Sequence, residues 1–185
     1  MSIKTLFKRI RGDFSGNTDL EKLIEMGLKV GKNLDLQPGC IIDKSHCFLI
    51  SIGDNVTLAP RVHILAHDGS TSRHLNCTKV GLVEIGDNSF IGASSIILPG
   101  VKIGSNVIVG SNSVVTKDIP DNCVYTGNPA RYLCSTDEYI TKQKSKMNEN
   151  NTFDKSYRVE YGVTEDKKKD MREKLKNGIG YLMNN

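Results

Sequence analysis

From Ile85 onward the chain places an aliphatic residue at every sixth position: Ile85, Ile91, Ile97, Ile103, Val109 and Val115, without a slip. Gly follows at 86, 92, 104 and 110, and four residues after each aliphatic stands a small or β-branched residue: Ser89, Ser95, Val101, Val107, Ser113 and Ile119. An earlier block, Ile52, Leu58 and Ile64, obeys the same rule, with Gly53 after the first and Val56 and Val62 at the fourth place; a weaker block, Val30, Leu36 and Ile42, precedes it. A period of six matches neither the 3.6 of an amphipathic helix nor the 2 of an alternating strand. It matches a coil with three short flat sides, of the kind that stacks into a solenoid. The aliphatic points inward, Gly is expected to permit the corner, and the small residue fills the tight space beside the next coil. Successive coils then pair at the strand spacing of about 4.8 Å. With three hexads to a coil, the clear repeats give three coils and the weaker block a fourth.

The string IGDNSFIGASSIILPGVKIGSNVIVGSNSVVTKDIPDNCVYTGNPAR within this repeat resembles the hexapeptide-repeat transferases, and among them the galactoside, maltose and polysaccharide O-acetyltransferases. The resemblance covers roughly residues 18 to 134. It implies an all-β fold, a left-handed parallel β-helix of hexapeptide repeats with short N-terminal and C-terminal helices. The expected organisation is an N-terminal helical segment over 1–29, the β-helix over 30–134, and a C-terminal helical tail with a linker over 135–185.

The repeat breaks between Ile64 and Ile85. The segment from His67 to Gly81 lacks the pattern and contains Asp68-Gly69 and several Ser, Thr and Asn, so 67–81 reads as a loop leaving the coil. An irregular excursion from a rigid solenoid is a place to expect function. Thr18-Asp-Leu-Glu21 is a capping box opening a short helix closed by Gly27, and Ser135-Thr-Asp-Glu138 is a second one. Residues 142–158 are polar and read as a linker. Thr164 to Asn177 reads as a helix, acidic at its start and basic at its end. Ile3, Leu6, Phe7 and Ile10 have helical spacing among Lys4, Lys8 and Arg9, a stretch too short and too charged to span a membrane.

Composition narrows the function classes. Tryptophan is absent, aromatics are 6%, and the net charge of +4 is mild, which excludes a typical nucleic-acid binder. Five cysteines form no CxxC pair, a usage that fits reduced thiols in a cytoplasmic protein.

In the resembling transferases the catalytic histidine stands just after the last rung before the extruded loop, which is His67 here. Acetyl transfer to a hydroxyl needs a base that works near neutral pH, and imidazole supplies one. By the same resemblance Ala93 offers a backbone N–H to the oxyanion, and Gly92 before it belongs to the cofactor-binding set. Ser111 offers backbone contacts to the pantetheine of acetyl-CoA, the co-substrate, while Thr116, Lys117 and Arg131 reach its adenosine and phosphates. Asp43, Phe90 and His63 are the candidates for the saccharide acceptor. Asp68 reads as half of a turn pair, and His46 and His74 have no motif support. The resemblance implies a homotrimer with sites between subunits, a role in surface polysaccharide assembly, and no required metal. N-acetylation of a nucleotide-linked amino sugar needs the same base. A zinc hydratase on this coil needs three histidines, and His63 and His67 have no third in a recognisable ligand position. A non-catalytic scaffold would need neither His67 nor the Thr116-Lys117 and GNPAR strings.

Overall fold

The structure, a computed structural model, describes residues 19–184. The chain divides into two compact units, one running to Asp137 and one from Glu138.

The first unit is a left-handed parallel β-helix with three flat faces. Lys29–Val30, Ile50–Ile52, Val83–Ile85 and Lys102–Ile103 form the first face. Asp35–Leu36, Thr57–Leu58, Phe90–Ile91, Ile108–Val109 and Cys123–Thr126 form the second, and Ile41–Ile42, His63–Ile64, Ile96–Ile97 and Val114–Val115 the third. Parallel pairing sets each repeat position over its counterpart, so Ile42, Ile64, Ile97 and Val115 stack in one column and Leu36, Leu58, Ile91 and Val109 in another. Four coils result, and Ile119 begins a further turn by bridging Ile103. Arg131–Ser135 folds back antiparallel on Cys123–Thr126 and finishes the second face.

The six-residue aliphatics from Leu36 to Val115 are all 4% exposed or less, and burying each such side chain contributes about 1.5–3 kcal/mol. The small fourth-place residues are buried as well, and their polar atoms are satisfied. Ser89 Oγ donates to the Gly104 carbonyl at 2.9 Å, Ser95 Oγ to that of Gly110 at 3.0 Å, and Ser113 Oγ also to Gly110 at 2.6 Å.

The corners correct one expectation. At most corners the left-handed residue is Asn, at 33, 55, 88, 106, 112 and 122, with φ between 55° and 59°, while Gly39, Arg61, Ser94 and Gly100 take the same place at the others; Asn visits that region at low cost because its short side chain bonds locally. Those amides also link coils, Asn33 Nδ2 donating to Asn55 Oδ1 at 2.9 Å and Asn55 Nδ2 to Asn88 Oδ1 at 3.0 Å. The repeat glycines answer to close approach instead. A Cβ on Gly86 would stand 2.6 Å from the Gly104 carbonyl carbon, and one on Gly92 2.5 Å from Ser111 N.

The helix Leu20–Glu25 is capped by Asp19, whose carboxylate accepts from Lys22 N–H at 3.3 Å. The cap is thus one residue beyond Thr18, which lies outside the described residues, as does the helical spacing over Ile3 to Ile10. Leu20 and Leu23 join the β-helix core beside Leu28 and Leu34.

In the second unit, Thr152–Phe153 pairs in parallel with Tyr181–Leu182, and the helix Glu165–Lys174 starts at a Thr164 cap. Phe153 is buried, its ring 5.0 Å from that of Tyr157. The stretch 142–158, expected as a linker, therefore supplies a strand and core of this unit. No helix among the described residues is long and apolar enough to cross a membrane.

Candidate active site

Two corners of the β-helix outgrow the repeat, and both lie between the third and first faces on neighbouring coils. A regular corner takes Ile97 to Ile103; the enlarged ones take Ile42 to Ile52 and Ile64 to Ile85. The longer is a hairpin in which His67–Asp68 pairs antiparallel with Lys79–Val80 around a short helix, Ser72–Leu75. Asp68 belongs to the hairpin. It pairs with Lys79 at 2.5 Å and accepts from Ser70 N–H at 2.8 Å. The Lys79 hydrogen bond above all brings its pKa down to about 2.

The shorter excursion carries Asp43, Ser45 and His46 and ends in the turn Cys47–Leu49. Cys47 is fully buried and its thiol donates to the Leu23 carbonyl at 3.6 Å, which fixes the excursion to the core. Asp43 is 5% exposed and all its hydrogen bonds are accepted ones. Oδ1 takes Ser45 Oγ at 2.9 Å, Ser45 N at 3.1 Å and His46 N at 3.3 Å; Oδ2 takes Ala66 N at 3.0 Å and His67 Nδ1 at 2.5 Å. Burial alone would raise the Asp43 pKa, but the hydrogen bonds from His67, Ser45 and Ala66 outweigh it and hold it below its ordinary value. An ionised carboxylate only accepts, so Nδ1 of His67 carries a proton, and in the neutral ring the lone pair is on Nε2. The His67 side chain is 39% exposed, and with Met26, Ile41, Lys44, Ser45 and Leu65 it lines a cavity of about 560 Å³.

Asp43, expected at the acceptor, also borders this cavity, but its carboxylate is engaged elsewhere. Its oxygens are buried and occupied, and they orient His67. His46, without motif support in the sequence, lies at the same place. Its ring is 4.9 Å from that of His67, tilted by 40°, and its Nδ1 is 3.2 Å from Ser45 Oγ. Ser45 gives its one proton to Asp43, so its oxygen accepts from His46.

The other predicted residues fall on two different edges. Thr116 and Lys117 share the edge of His67: Leu65 N–H donates to Ile97 O and Leu98 N–H to Val115 O, stacking Leu65, Leu98 and Thr116. Two coils at about 4.8 Å each put Thr116 roughly 10 Å along that edge from Leu65. Gly92, Ala93 and Ser111 lie on the edge between the second and third faces, where Gly92 sits against Ser111 and the Ala93 carbonyl accepts from Asn112 N–H at 2.8 Å. Arg131 is exposed at the closing hairpin and donates to the Ala130 carbonyl. Phe90, 43% exposed, projects from the second face between Thr57 and Ile108, and His63 from the third between Ile41 and Ile96. Neither lines the His67 cavity.

Residues 83–117 match the family model described as bacterial transferase hexapeptide (six repeats). Protein CapG of Staphylococcus aureus is 38% identical over 148 residues, spanning 76% of this chain and 83% of that one. The crystal structure of a maltose O-acetyltransferase from Clostridium difficile 630 superposes with a TM-score of 0.56 at 36% identity, covering 69% of this chain and 67% of that one. A galactoside acetyltransferase in complex with coenzyme A gives 0.56 at 32% identity, covering 62% of this chain and 58% of that one. The chain belongs to the hexapeptide-repeat bacterial transferases. Its enzymatic class within them is acetyltransferase.

Proposed function

We propose that the protein moves an acetyl group from acetyl-CoA to a sugar hydroxyl, with His67 as general base, in the cytoplasmic assembly of a surface polysaccharide. The observation that carries this reading is the buried Asp43 carboxylate holding Nδ1–H of a half-exposed His67 at the wall of a cavity, on the edge that also presents Thr116 and Lys117. Nε2 takes the proton of the acceptor hydroxyl as its oxygen attacks the thioester carbonyl. The Asp43 carboxylate steadies the imidazolium that forms, and the backbone N–H of Ala93 stabilises the oxyanion. Collapse breaks the C–S bond, and the imidazolium returns its proton to the departing thiolate. No metal is required in these steps.

Acetyl-CoA lies along the His67 edge, its thioester toward His67 and its phosphates toward Lys117, with Arg131 at the mouth. Gly92, Ala93 and Ser111 are on another edge, so they meet this groove from a second subunit. The outer surfaces favour such a contact. The first face presents Lys29, Ser51, Glu84 and Lys102, the last two paired at 3.2 Å. The second and third present Phe90 and Ile108, and Ile41, Ile96 and Val114. A homotrimer joins a second face to a third in one repeated contact and closes on itself. Phe90 and His63 then border the acceptor from that contact.

Replacing His67 with Ala tests the reading. Loss of a positioned base lowers turnover by about 10² to 10⁴, while acetyl-CoA binding measured by calorimetry stays as it was. Near-normal turnover in that variant is incompatible with the mechanism.

A further inference from the structure

The side chains around His67 have a second capacity. Asp43, His46 and His67 each bring one ligand atom into a group whose members all lie within 4.8 Å of one another. They come from neighbouring coils: Asp43 and His46 from one corner excursion, His67 from the next. One ligand is an anion fixed by backbone N–H groups, and two are imidazoles, the set that suits zinc and its neighbours in the transition series. Three ligands around a tetrahedral ion at roughly 2.0–2.1 Å stand about 3.3 Å apart. The present group brackets that separation, with His67 Nδ1 at 2.5 Å from Asp43 Oδ2 and no ligand atom beyond 4.8 Å. Both imidazoles are only partly buried, and the cavity leaves room for water at a fourth position.

We propose that Asp43, His46 and His67 form a site for a divalent transition metal such as Zn²⁺, and that its occupation switches the transferase off. Inhibition rests on the function proposed above; binding does not. The metal replaces the hydrogen bond between Asp43 Oδ2 and His67 Nδ1 with two coordinate bonds. A neutral imidazole keeps one ring proton, so once the metal takes Nδ1 that proton resides on Nε2. The lone pair that would accept the sugar proton is then gone. No proton is released, because each imidazole keeps its one ring proton on the nitrogen that the metal does not take; of the ion's two positive charges the Asp43 carboxylate offsets one, and solvent anions the other. His46 completes the ligand set but is not the base, and this separates the metal site from the catalytic machinery in an experiment.

The wild-type protein, freed of metal by a chelator and dialysed, is titrated with Zn²⁺ alone by calorimetry and with Co²⁺ alone by visible absorption. Binding of one ion per chain with a tetrahedral Co²⁺ spectrum is expected. Zn²⁺ is expected to abolish acetyl transfer over the same concentration range, and the chelator to restore it. His46→Phe keeps an aromatic ring against His67 and removes the ligand atom; it should weaken Zn²⁺ binding at least about tenfold, the scale on which lesser changes around metal sites already act. His46→Gln serves the same purpose if the Phe variant does not fold. Cys77, an exposed thiol on the hairpin, is the control, and Cys77→Ser should leave binding unchanged. Failure of the wild type to bind metal, unchanged affinity in both His46 variants, or affinity that follows Cys77 overturns the site. Metal that binds as described while raising turnover overturns the switch and with it the metal-free mechanism. Metal binding in a protein without acetyl transfer leaves the site standing and removes the transferase reading alone.

Discussion

Asp43→Asn isolates what the carboxylate does, because the amide has the same shape and differs only in its hydrogen-bonding atoms. In the wild type every group facing Asp43 is a donor: Ser45 N and Oγ and His46 N on one oxygen, Ala66 N and His67 Nδ1 on the other. An amide nitrogen cannot accept, so neither orientation of Asn fits. With Nδ2 toward His67, the Ala66 N–H meets a donor, and His67 must turn its lone pair to the amide and carry its proton on Nε2. With Nδ2 toward the other side, the Ser45 and His46 N–H groups meet it instead. A buried donor without a partner costs about 1–3 kcal/mol, so the variant should melt at a lower temperature in either case. The first orientation also removes the catalytic lone pair, and turnover should fall by about 10² to 10⁴, the range for loss of a working base. Acetyl-CoA affinity should hold, since both Asp43 oxygens are already taken by the protein's own donors. The pH dependence has a definite sign. The folded-state pKa of Asp43 is depressed, so its contribution to stability is complete above the ordinary aspartate range and is lost as pH falls through the depressed value. Melting curves over acid pH should therefore show a shallower decline in the Asn variant. Full turnover in Asp43→Asn, or a drop confined to acetyl-CoA affinity, would refute the orienting role.

Lys117→Glu should weaken acetyl-CoA more than dephospho-CoA in competition binding, and equal weakening would take Lys117 away from the 3′-phosphate. Gly86→Ala forces a Cβ to within 2.6 Å of the next coil's backbone at Gly104. Overpacking of that kind costs about 1–3 kcal/mol, to be read from denaturant unfolding, and an unchanged midpoint would show that the coils can separate at that corner. In light scattering the protein should have the mass of three chains. Co-refolded mixtures of His67→Ala with Gly92→Ala should regain part of the activity that each lacks alone; a trimer without such recovery would put each whole site within one chain.

How far the sequence reaches depends on whether a residue is constrained by period or by one contact across the fold. The aliphatic and small positions of the hexads repeat on neighbouring coils, so each is announced several times, and the spacing by itself assigns them to columns. The corner chemistry is harder, because Gly and Asn recur in the same register. Period alone does not say that the Asn residues, with Gly39 and Gly100, take the left-handed turns while the glycines after the aliphatics yield to the backbone of the next coil, and only the backbone angles separate them. The site is legible in part. A repeat that breaks at Ile64 points to the hairpin and to His67 beside it. The companion break, from Ile42 to Ile52, is also a departure from six, and it marks the excursion carrying Asp43, Ser45 and His46. It passes unnoticed because the first block of repeats is weak and its end is easily taken for noise. Reading Asp43 as an acceptor contact follows from treating a polar residue beside a cleft as facing it. Its burial comes from stacking: as the residue after Ile42 it lies in the column of Leu65 and directly behind Ala66 and His67 on the next coil. A solenoid therefore turns a sequence separation of 24 residues between Asp43 and His67 into a hydrogen bond. Any pair of irregular corners one coil apart on such a chain is a place to look for residues that act together.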